Sequence, residues 1–302
     1  MIEISTTEQY INVEDGFRVW TKSVGGGSSI GLPALLVLHG GPGMGHDYLD
    51  NLASLANDKQ KVVFYDQLGC GKSDCPNDPE RWKAPRFVGE VNMVRDALKL
   101  ERVIILGQSW GGMLAIEYLL TKPQGVIGAI LSNSLSSAIL MGKEIMRLKN
   151  ELPKPILDTL QANETAGTTD SSEYKKATAA FYSRHIFRMD PLPQEILEAL
   201  ESTNQVDEVM WGKNEFSITG NLKSWDRTSE LHQITLPVKI ISGEFDESTP
   251  EVNQVLSEGL VNADWTLMPG CSHLPNLENP QAYMALIQDF MDKLNSGELE
   301  SK

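Results

Sequence analysis

The strongest chemical signal in the sequence is a serine between glycines, in the segment 107–111 (Gly-Gln-Ser-Trp-Gly). The segment directly follows an apolar run at 103–106 and opens a helical run at 113–120. A serine on such a strand-to-helix turn needs strained backbone angles, and flanking glycines let neighbouring backbone approach without Cβ clashes. The helix N-terminus behind it stabilises negative charge. The pattern predicts Ser109 as a nucleophile; a tightly packed turn with an idle serine is the alternative.

A second glycine-rich loop could stabilise the charge that develops when a serine attacks a carbonyl. The segment 39–43 (His-Gly-Gly-Pro-Gly) follows the apolar run 34–38. Acyl transfer needs two backbone N–H groups aimed at the oxyanion, and we expect them from Gly41 and Trp110. Pro42 has no N–H, so it would fix the loop through a cis bond. A plain Gly/Pro turn is the alternative, and His39 is expected to bond the loop backbone rather than act as a base.

A serine hydroxyl is a poor nucleophile and needs a general base. The sequence contains five histidines: His39, His46, His185, His232 and His273. In an α/β sheet that carries this serine turn, the catalytic residues follow in the chain order serine, acid, histidine. His273 comes last and lies just past the apolar run 265–268. We therefore predict His273 as the base, and for His185, within a helical region, a local role.

A carboxylate must hold that histidine in the correct tautomer. Asp246 lies just past the apolar run 238–241. Ligands and catalytic groups collect at the carboxyl ends of strands in open α/β sheets. We predict Asp246 as the catalytic acid, with Glu244 and Glu247 as rivals.

The segment 66–73 (Asp-Gln-Leu-Gly-Cys-Gly-Lys-Ser) superficially resembles a phosphate-binding loop. Only one residue separates its two glycines, so the spacing that cradles phosphates is absent. We predict a turn at the end of a strand, in which Asp66 and Ser73 make local hydrogen bonds, and no nucleotide site. Cys70 is a weak candidate nucleophile because it has no strand-to-helix turn of its own.

The elements that position these residues follow from apolar runs with the length of buried strands, which lie at 34–38, 61–65, 102–106, 126–131, 238–241 and 265–268. Helical patterns lie between them. Continuous apolar strands alternating with helices are typical of a parallel sheet covered on both faces. Nearer the N-terminus, the runs 10–13 and 17–20 flank an Asp-Gly pair, which favours a hairpin.

Between about residues 134 and 232 the pattern is helical. This region is richer in Glu, Lys, Ala and Met, it is broken by prolines, and no run in it has the pattern of a strand. We therefore predict an α/β fold with a mostly parallel sheet and an inserted helical cap. Residues 1–133 and 233–302 would form the core, and residues 134–232 the cap.

Composition limits the possible partners. The chain has 302 residues, with 26 Lys plus Arg against 41 Asp plus Glu, so its formal charge is −15. Such a balance argues against nucleic acid or an anionic membrane as a partner, because phosphate neutralisation needs clustered Lys and Arg. A solvated acidic surface or a site that attracts cationic substrates would both explain the charge.

The remaining composition points to an ordinary globular protein. Hydrophobic residues make up 41% of the chain, enough for a sizeable core. No secretory signal and no membrane span are visible in the sequence. The three cysteines, Cys70, Cys75 and Cys271, are too few for a disulfide framework or a zinc site. We expect a reduced, cytoplasmic protein; its oligomeric state is not predicted.

Together these motifs resemble the prolyl aminopeptidase (proline iminopeptidase) family of α/β-hydrolase serine peptidases. The matching segments span nearly the whole chain in the right order: 39–43, 66–74, 107–112, 243–250 and 270–273. The resemblance implies an α/β-hydrolase fold with a helical cap over the site. It also implies release of an N-terminal residue, often proline, from short peptides, and it implies no metal or organic cofactor.

The same resemblance implies that acidic residues bind the free α-amino group of the substrate. Two positions match the family's pattern, Glu215 in the cap and Glu244 two residues before Asp246. An ammonium group leaving water needs paired negative charge, so the assignment is physically reasonable. A solvated carboxylate at Glu215 and a structural acid at Glu244 are the alternatives.

The predicted reaction is acyl transfer in two steps. His273 takes the proton of Ser109, the Gly41 and Trp110 amides stabilise the oxyanion, and water later releases the acyl group. An amino-acid amidase, or an esterase or lactonase, would use the same residues. A noncatalytic ligand-binding protein on this fold is a further alternative, although such a protein would be expected to lack part of the triad.

Overall fold

A computed structural model describes residues 4–27, 31–194, 196, 205–214, 216 and 218–301. Its sheet has eight strands in the spatial order β1-β2-β4-β3-β5-β6-β7-β8. The strands are β1 (Thr6–Asn12), β2 (Arg18–Gly25), β3 (Ala34–Leu38), β4 (Lys61–Tyr65), β5 (Val103–Gln108), β6 (Val126–Ser132), β7 (Val238–Gly243) and β8 (Ala263–Met268). Strand β2 is antiparallel to both of its neighbours, and all other pairs are parallel, as the sequence predicts.

The central strands are apolar because both faces of the sheet are covered. Every residue of β3, β5 and β7 is buried, whereas β1, at one edge, is largely exposed and β8, at the other edge, is mostly half-buried or exposed. The predicted hairpin joins β1 to β2, and Asp15 in its turn adopts a left-handed φ of 57°. Aspartate tolerates that conformation better than most residues.

Helices cover the two faces and form the region between β6 and β7. They are α1 (Ala84–Ala97), α2 (Trp110–Leu120), α3 (Ala138–Asn150), α4 (Lys154–Ala166), α5 (Ser172–His185), α6 (Gln205–Met210), α7 (Pro250–Gly259), α8 (Pro275–Glu278) and α9 (Pro280–Ser296). Side chains cap several of them; Thr249, for example, accepts a hydrogen bond from the Val252 amide at the start of α7. No helix in the described part of the chain combines the length and the apolar character needed to cross a membrane.

The region between β6 and β7 leaves the core and returns to it through one narrow connection. The Ala138 amide donates to the Trp225 carbonyl, and the Arg227 amide donates to the Ser136 carbonyl. These bonds form an isolated antiparallel bridge at Ser137. Helices α3 to α6 lie between the two sides of this bridge, and the two ends of this helical segment, called the cap below, are hydrogen-bonded to each other. The division of the chain into core and cap domains stays a prediction.

Candidate active site

Ser109 lies in the turn between β5 and α2. Its φ of 55° and ψ of −121° are strained for a residue with a Cβ atom, and its amide donates to the Ser132 carbonyl at 2.9 Å. A Cβ atom at Gly107 would overlap the carbonyl of Gly111, and one at Gly111 would overlap the carbonyl of Leu38. The glycines therefore allow the close packing that holds the serine at the carboxyl end of β5.

Ser109 opens onto a cavity of about 190 Å³ between the sheet and the cap. The cavity is lined by polar side chains, among them Ser109, His273 and Glu247, and by apolar side chains, which form an apolar wall. The lining residues are Gly41, Pro42, Gly43, Met44, Tyr48, Gln108, Ser109, Trp110, Met113, Leu135, Met141, Tyr182, Ile186, Phe187, Asp207, Trp211, Gly212, Lys213, Asn214, Glu247, His273 and Leu274. Its volume is below the roughly 300–1,000 Å³ of a drug-sized site, so it suits a single small residue.

The predicted base and acid are paired in the structure. His273 Nδ1 lies 2.7 Å from Asp246 Oδ1, and the same carboxylate oxygen accepts the Ser248 amide at 3.0 Å. Asp246 is fully buried, so its side chain has one fixed geometry. With Nδ1–H donating to the carboxylate, Nε2 is left as the basic nitrogen of His273. Ser109 and His273 line the same cavity, as the sequence-based triad requires.

The predicted oxyanion loop follows β3. The Gly41–Pro42 bond is cis, as expected, and Gly41 has a left-handed φ of 110°. A Cβ atom at Gly41 would approach the Gly43 nitrogen to 2.6 Å, so the loop requires glycine there. Trp110 is the first residue of α2, and its amide therefore has no acceptor within the helix. Both residues line the cavity beside Ser109.

His39 supports this loop rather than the chemistry, which confirms its predicted role. Its Nδ1 donates to the Gly40 carbonyl and its Nε2 accepts the Gln67 amide, both at 2.9 Å. Burial lowers the pKa of His39 and keeps the ring neutral. Gln67 also accepts a hydrogen bond from the Trp110 indole at 2.8 Å. Gln67, in the segment after β4, therefore bonds both parts of the predicted oxyanion site, the loop after β3 and Trp110.

Asp66 and Ser73 make the predicted local hydrogen bonds. Asp66 accepts the Lys72 amide at 2.8 Å, and the Ser73 hydroxyl donates to the Asp66 carbonyl at 2.5 Å. Asp66 also accepts His46 Nδ1 at 2.8 Å, a contact that the sequence did not suggest. The segment is a hydrogen-bonded turn that presents Gln67 to the oxyanion loop.

Gln108, the residue before the serine, is a connection that the sequence analysis missed. Its side-chain amide donates to the His273 carbonyl at 3.2 Å and accepts the Tyr48 hydroxyl at 2.5 Å. Tyr48 in turn accepts the Gly40 amide at 2.7 Å. One side chain therefore links the serine turn, the base loop and the oxyanion loop. Its position inside the serine motif was the only available signal.

The three glutamates discussed for the site differ in where they lie. Glu215 is outside the described residues. Glu244 is exposed, its carboxylate accepts the Gly270 amide at 2.9 Å, and it is not part of the cavity lining. Glu247, by contrast, lines the cavity with its side chain only 5% exposed, and its Oε1 is 4.0 Å from His273 Nε2. The turn after β7 exposes Glu244 and buries Glu247. A role of Glu244 in binding the amino group of the substrate stays a prediction.

The cap contacts the loops that carry the acid and the base. At the end of α5, His185 Nδ1 donates to the Phe245 carbonyl at 2.9 Å, and the His185 carbonyl accepts the Glu247 amide at 3.2 Å. The Arg188 amide donates to Glu278 at 2.8 Å, and Glu278 also accepts the Ser272 amide at 2.5 Å. His185 therefore has the local role expected of it, and that role is to hold the acid loop.

The chain is similar to known proteins over most of its length. The family model for the alpha/beta hydrolase fold matches residues 33–280. A proline iminopeptidase from Heyndrickxia coagulans is 38% identical over 95% of this chain and 99% of its own length. The crystal structure of a proline iminopeptidase from Mycobacterium smegmatis has a TM-score of 0.90 at 33% identity, covering 97% of this chain and 100% of its own. The crystal structure of VinJ has a TM-score of 0.91 at 31% identity, over 95% and 99% of the two chains. These similarities extend over the sheet and the helical insertion alike.

Proposed function

The chain belongs to the α/β-hydrolase family and, within it, to the proline iminopeptidases, and from that premise we propose that it is a serine aminopeptidase. It releases an N-terminal amino acid, proline or another small apolar residue, from short peptides through an acyl-enzyme. The observation that carries this proposal is the cavity in which Ser109 and the hydrogen-bonded pair of His273 and Asp246 stand beside a buried carboxylate, Glu247.

The reaction follows from the atoms that face the cavity. His273 Nε2 takes the proton as the Ser109 hydroxyl attacks the scissile carbonyl, and Asp246 stabilises the imidazolium that forms. The Gly41 and Trp110 amides bind the oxyanion. His273 then protonates the leaving amine, and water, activated by the same imidazole, releases the acyl group.

In the proposed function, carboxylate groups of the site bind the free amino group of the substrate. We propose Glu247 as its main partner, because Glu247 is the glutamate of the acid loop that faces the cavity. Glu215, from the cap, is proposed as a second partner on the family resemblance. An ammonium group is stable in a partly desolvated site only if negative charge compensates it. Glu244, which the resemblance also implies, is exposed and accepts the Gly270 amide, so we rank it below Glu247 as a partner of the amino group.

The size of the acyl residue is limited by the apolar wall. Met113, Leu135, Met141, Ile186 and Phe187 line the cavity beside Ser109. Burial of a compact apolar side chain, such as the proline ring, against them contributes about 25 cal/mol per Å² of apolar surface. A small N-terminal residue therefore fills the space that remains between the serine and the cap.

We place this activity in the cytoplasm, with a small peptide as the substrate and neither nucleic acid nor membrane as a partner. The acidic balance of 41 carboxylates against 26 Lys and Arg supports this proposal.

A panel of chromogenic substrates tests the function. It would include prolyl, alanyl and leucyl anilides, amino-acid amides, their N-acetyl derivatives and plain esters. We expect free-amine substrates to react far faster than their acetylated forms, and Ser109→Ala to lose turnover on all of them by a factor of at least about 10⁴. Equal rates on free and acetylated substrates would indicate an esterase. Turnover retained in Ser109→Ala would remove the serine mechanism.

A further inference from the structure

Asn133 lies directly after β6, between the acid loop and the base loop. We propose that it is a positioning residue for the reaction, holding Asp246 and the loop of His273 in register through its side-chain amide. This inference rests on the proposed triad, and it concerns a residue that belongs to none of the motifs in the sequence.

Two acceptors surround the side-chain amide nitrogen of Asn133. Asn133 Nδ2 lies 2.7 Å from Asp246 Oδ2 and 3.0 Å from the Ser272 carbonyl. An amide nitrogen carries two hydrogens, and here each is directed to a different loop of the triad. His273 Nδ1 bonds the other oxygen of Asp246, so the carboxylate is held on both sides.

A series of hydrogen-bond donors lies behind Asn133. Both neighbours at one end of the Asn133 side-chain amide are acceptors, so that end must be the nitrogen. At the other end, the Ser132 hydroxyl donates to Asn133 Oδ1 at 2.8 Å, and the Tyr283 hydroxyl donates to Ser132 Oγ at 2.9 Å. Tyr283, Ser132 and Asn133 are fully buried. Each donor in this series, from Tyr283 through Ser132 to Asn133, is directed toward Asp246. Hydrogen bonds that are connected in series polarise one another in a low-dielectric interior.

The backbone conformation at position 133 limits which residue types fit there. Asn133 has a left-handed φ of 50°, and its amide donates to the Ile241 carbonyl at 2.7 Å. Gly, Asn and Asp tolerate this conformation best. A turn alone would therefore be satisfied by any of the three, whereas the contacts to Asp246 and Ser272 require the two N–H groups that only asparagine provides.

Three other titratable groups lie close to the pair, and none of the three is hydrogen-bonded to the side chain of Asn133. Glu247 Oε1 is 4.0 Å from His273 Nε2, His185 bonds the carbonyl next to Asp246, and Glu278 bonds the residue next to His273. A change in the titration of the triad on substitution of Asn133 would thus report the loss of its amide.

The test compares Asn133→Gly and Asn133→Asp with the unaltered protein. Both variants keep the left-handed backbone, and the aspartate also keeps the side-chain volume. Without the amide donor, fewer hydrogen bonds share the charge of the Asp246 carboxylate, and it holds the imidazolium of His273 more strongly, which moves the acid limb of kcat/KM to higher pH. We expect a shift of roughly 0.5–1 pH unit for Asn133→Gly. In Asn133→Asp two carboxyl groups lie against each other and share one proton, whose O–H replaces the lost N–H donor, so its shift should be smaller. At the pH optimum kcat should fall about tenfold, with KM within about twofold.

Active sites are counted with a fluorophosphonate probe, so that misfolded protein does not affect kcat. Gln60→Ala is the matched control, because Gln60 is equally buried and its amide also bonds two carbonyls, those of Pro33 and Lys61, at the opposite end of the sheet. It should lower the melting temperature without moving the acid limb. An acid limb that stays in place in both Asn133 variants would overturn the positioning role. Failure of the triad itself would appear separately, as activity in Ser109→Ala.

Discussion

Substitution of Glu247 by glutamine tests the assignment of the amine-binding carboxylate. The change removes one negative charge from the cavity and keeps the shape of a side chain that is 5% exposed. We expect kcat/KM to fall much more for a prolyl anilide, which has a free amine, than for its N-acetyl derivative or for a plain ester.

The magnitude follows from the burial of the carboxylate. Two unit charges about 4 Å apart attract by about 4 kcal/mol at the effective dielectric constant of about 20 that suits such sites. Glutamine still offers a carbonyl oxygen to the ammonium, so the net loss is smaller, about 2 kcal/mol, which corresponds to about 30-fold in kcat/KM. Glu247 also lies 4.0 Å from His273 Nε2, so its removal changes the base as well. That second effect is common to all substrates and cancels in the ratio of free to acetylated substrate.

The assay measures this ratio at one pH for three proteins: the unaltered chain, Glu247→Gln and Glu244→Gln. Glu244 is the matched control because it lies on the same loop, three residues earlier, but faces solvent and bonds Gly270. Its substitution should leave the ratio unchanged. If Glu244→Gln lowered the ratio and Glu247→Gln did not, the assignment drawn from the cavity would be refuted and the one drawn from the sequence alone would stand.

Two further predictions concern stability. Burial lowers the pKa of His39 below its ordinary 6.5, so below about pH 6.5 the unfolded chain binds a proton that the folded chain does not. Acid therefore favours unfolding, and His39→Gln should flatten the fall of the melting temperature between pH 6.5 and 5; a parallel curve would contradict this. Gly111→Ala places a Cβ atom against the Leu38 carbonyl and should cost about 1–3 kcal/mol in chemical denaturation. Gly89→Ala, in the middle of α1 with open space around it, should instead be neutral or stabilise by up to about 1 kcal/mol, and equal effects of the two would disprove the packing argument.

The sequence predicted the sheet and the tight turn at Ser109 because both depend on local patterns. Buried strands such as β3 and β5 need continuous apolar residues, and the turn at Ser109 needs glycine at Gly107 and Gly111 for packing. The order of the strands along the chain then placed Asp246 and His273 after β7 and β8, at the carboxyl end of the sheet. At these positions the local sequence pattern and the packing of the whole fold require the same residue types.

The sequence could not assign residues whose role depends on direction within a loop. Glu244 and Glu247 lie in the same turn, and only the path of the backbone after β7 decides which carboxylate faces the cavity. Asn133 and Gln108 act through contacts with residues more than a hundred positions away, to Asp246 and to His273 respectively. No spacing rule along the chain encodes such contacts.

The hydrogen bonds at the end of α5 limit how far the cap can be treated as an exchangeable module. Because His185 holds the Phe245 carbonyl and the Glu247 amide, the cap is a structural part of the acid loop as well as a cover for the cavity. A cap taken from a relative and joined at the connection near Ser137 would have to supply an equivalent carbonyl and donor. Substrate specificity is therefore better altered by substituting single cap residues that line the cavity, such as Met141 or Phe187, than by replacing the whole cap, which would disturb the acid loop.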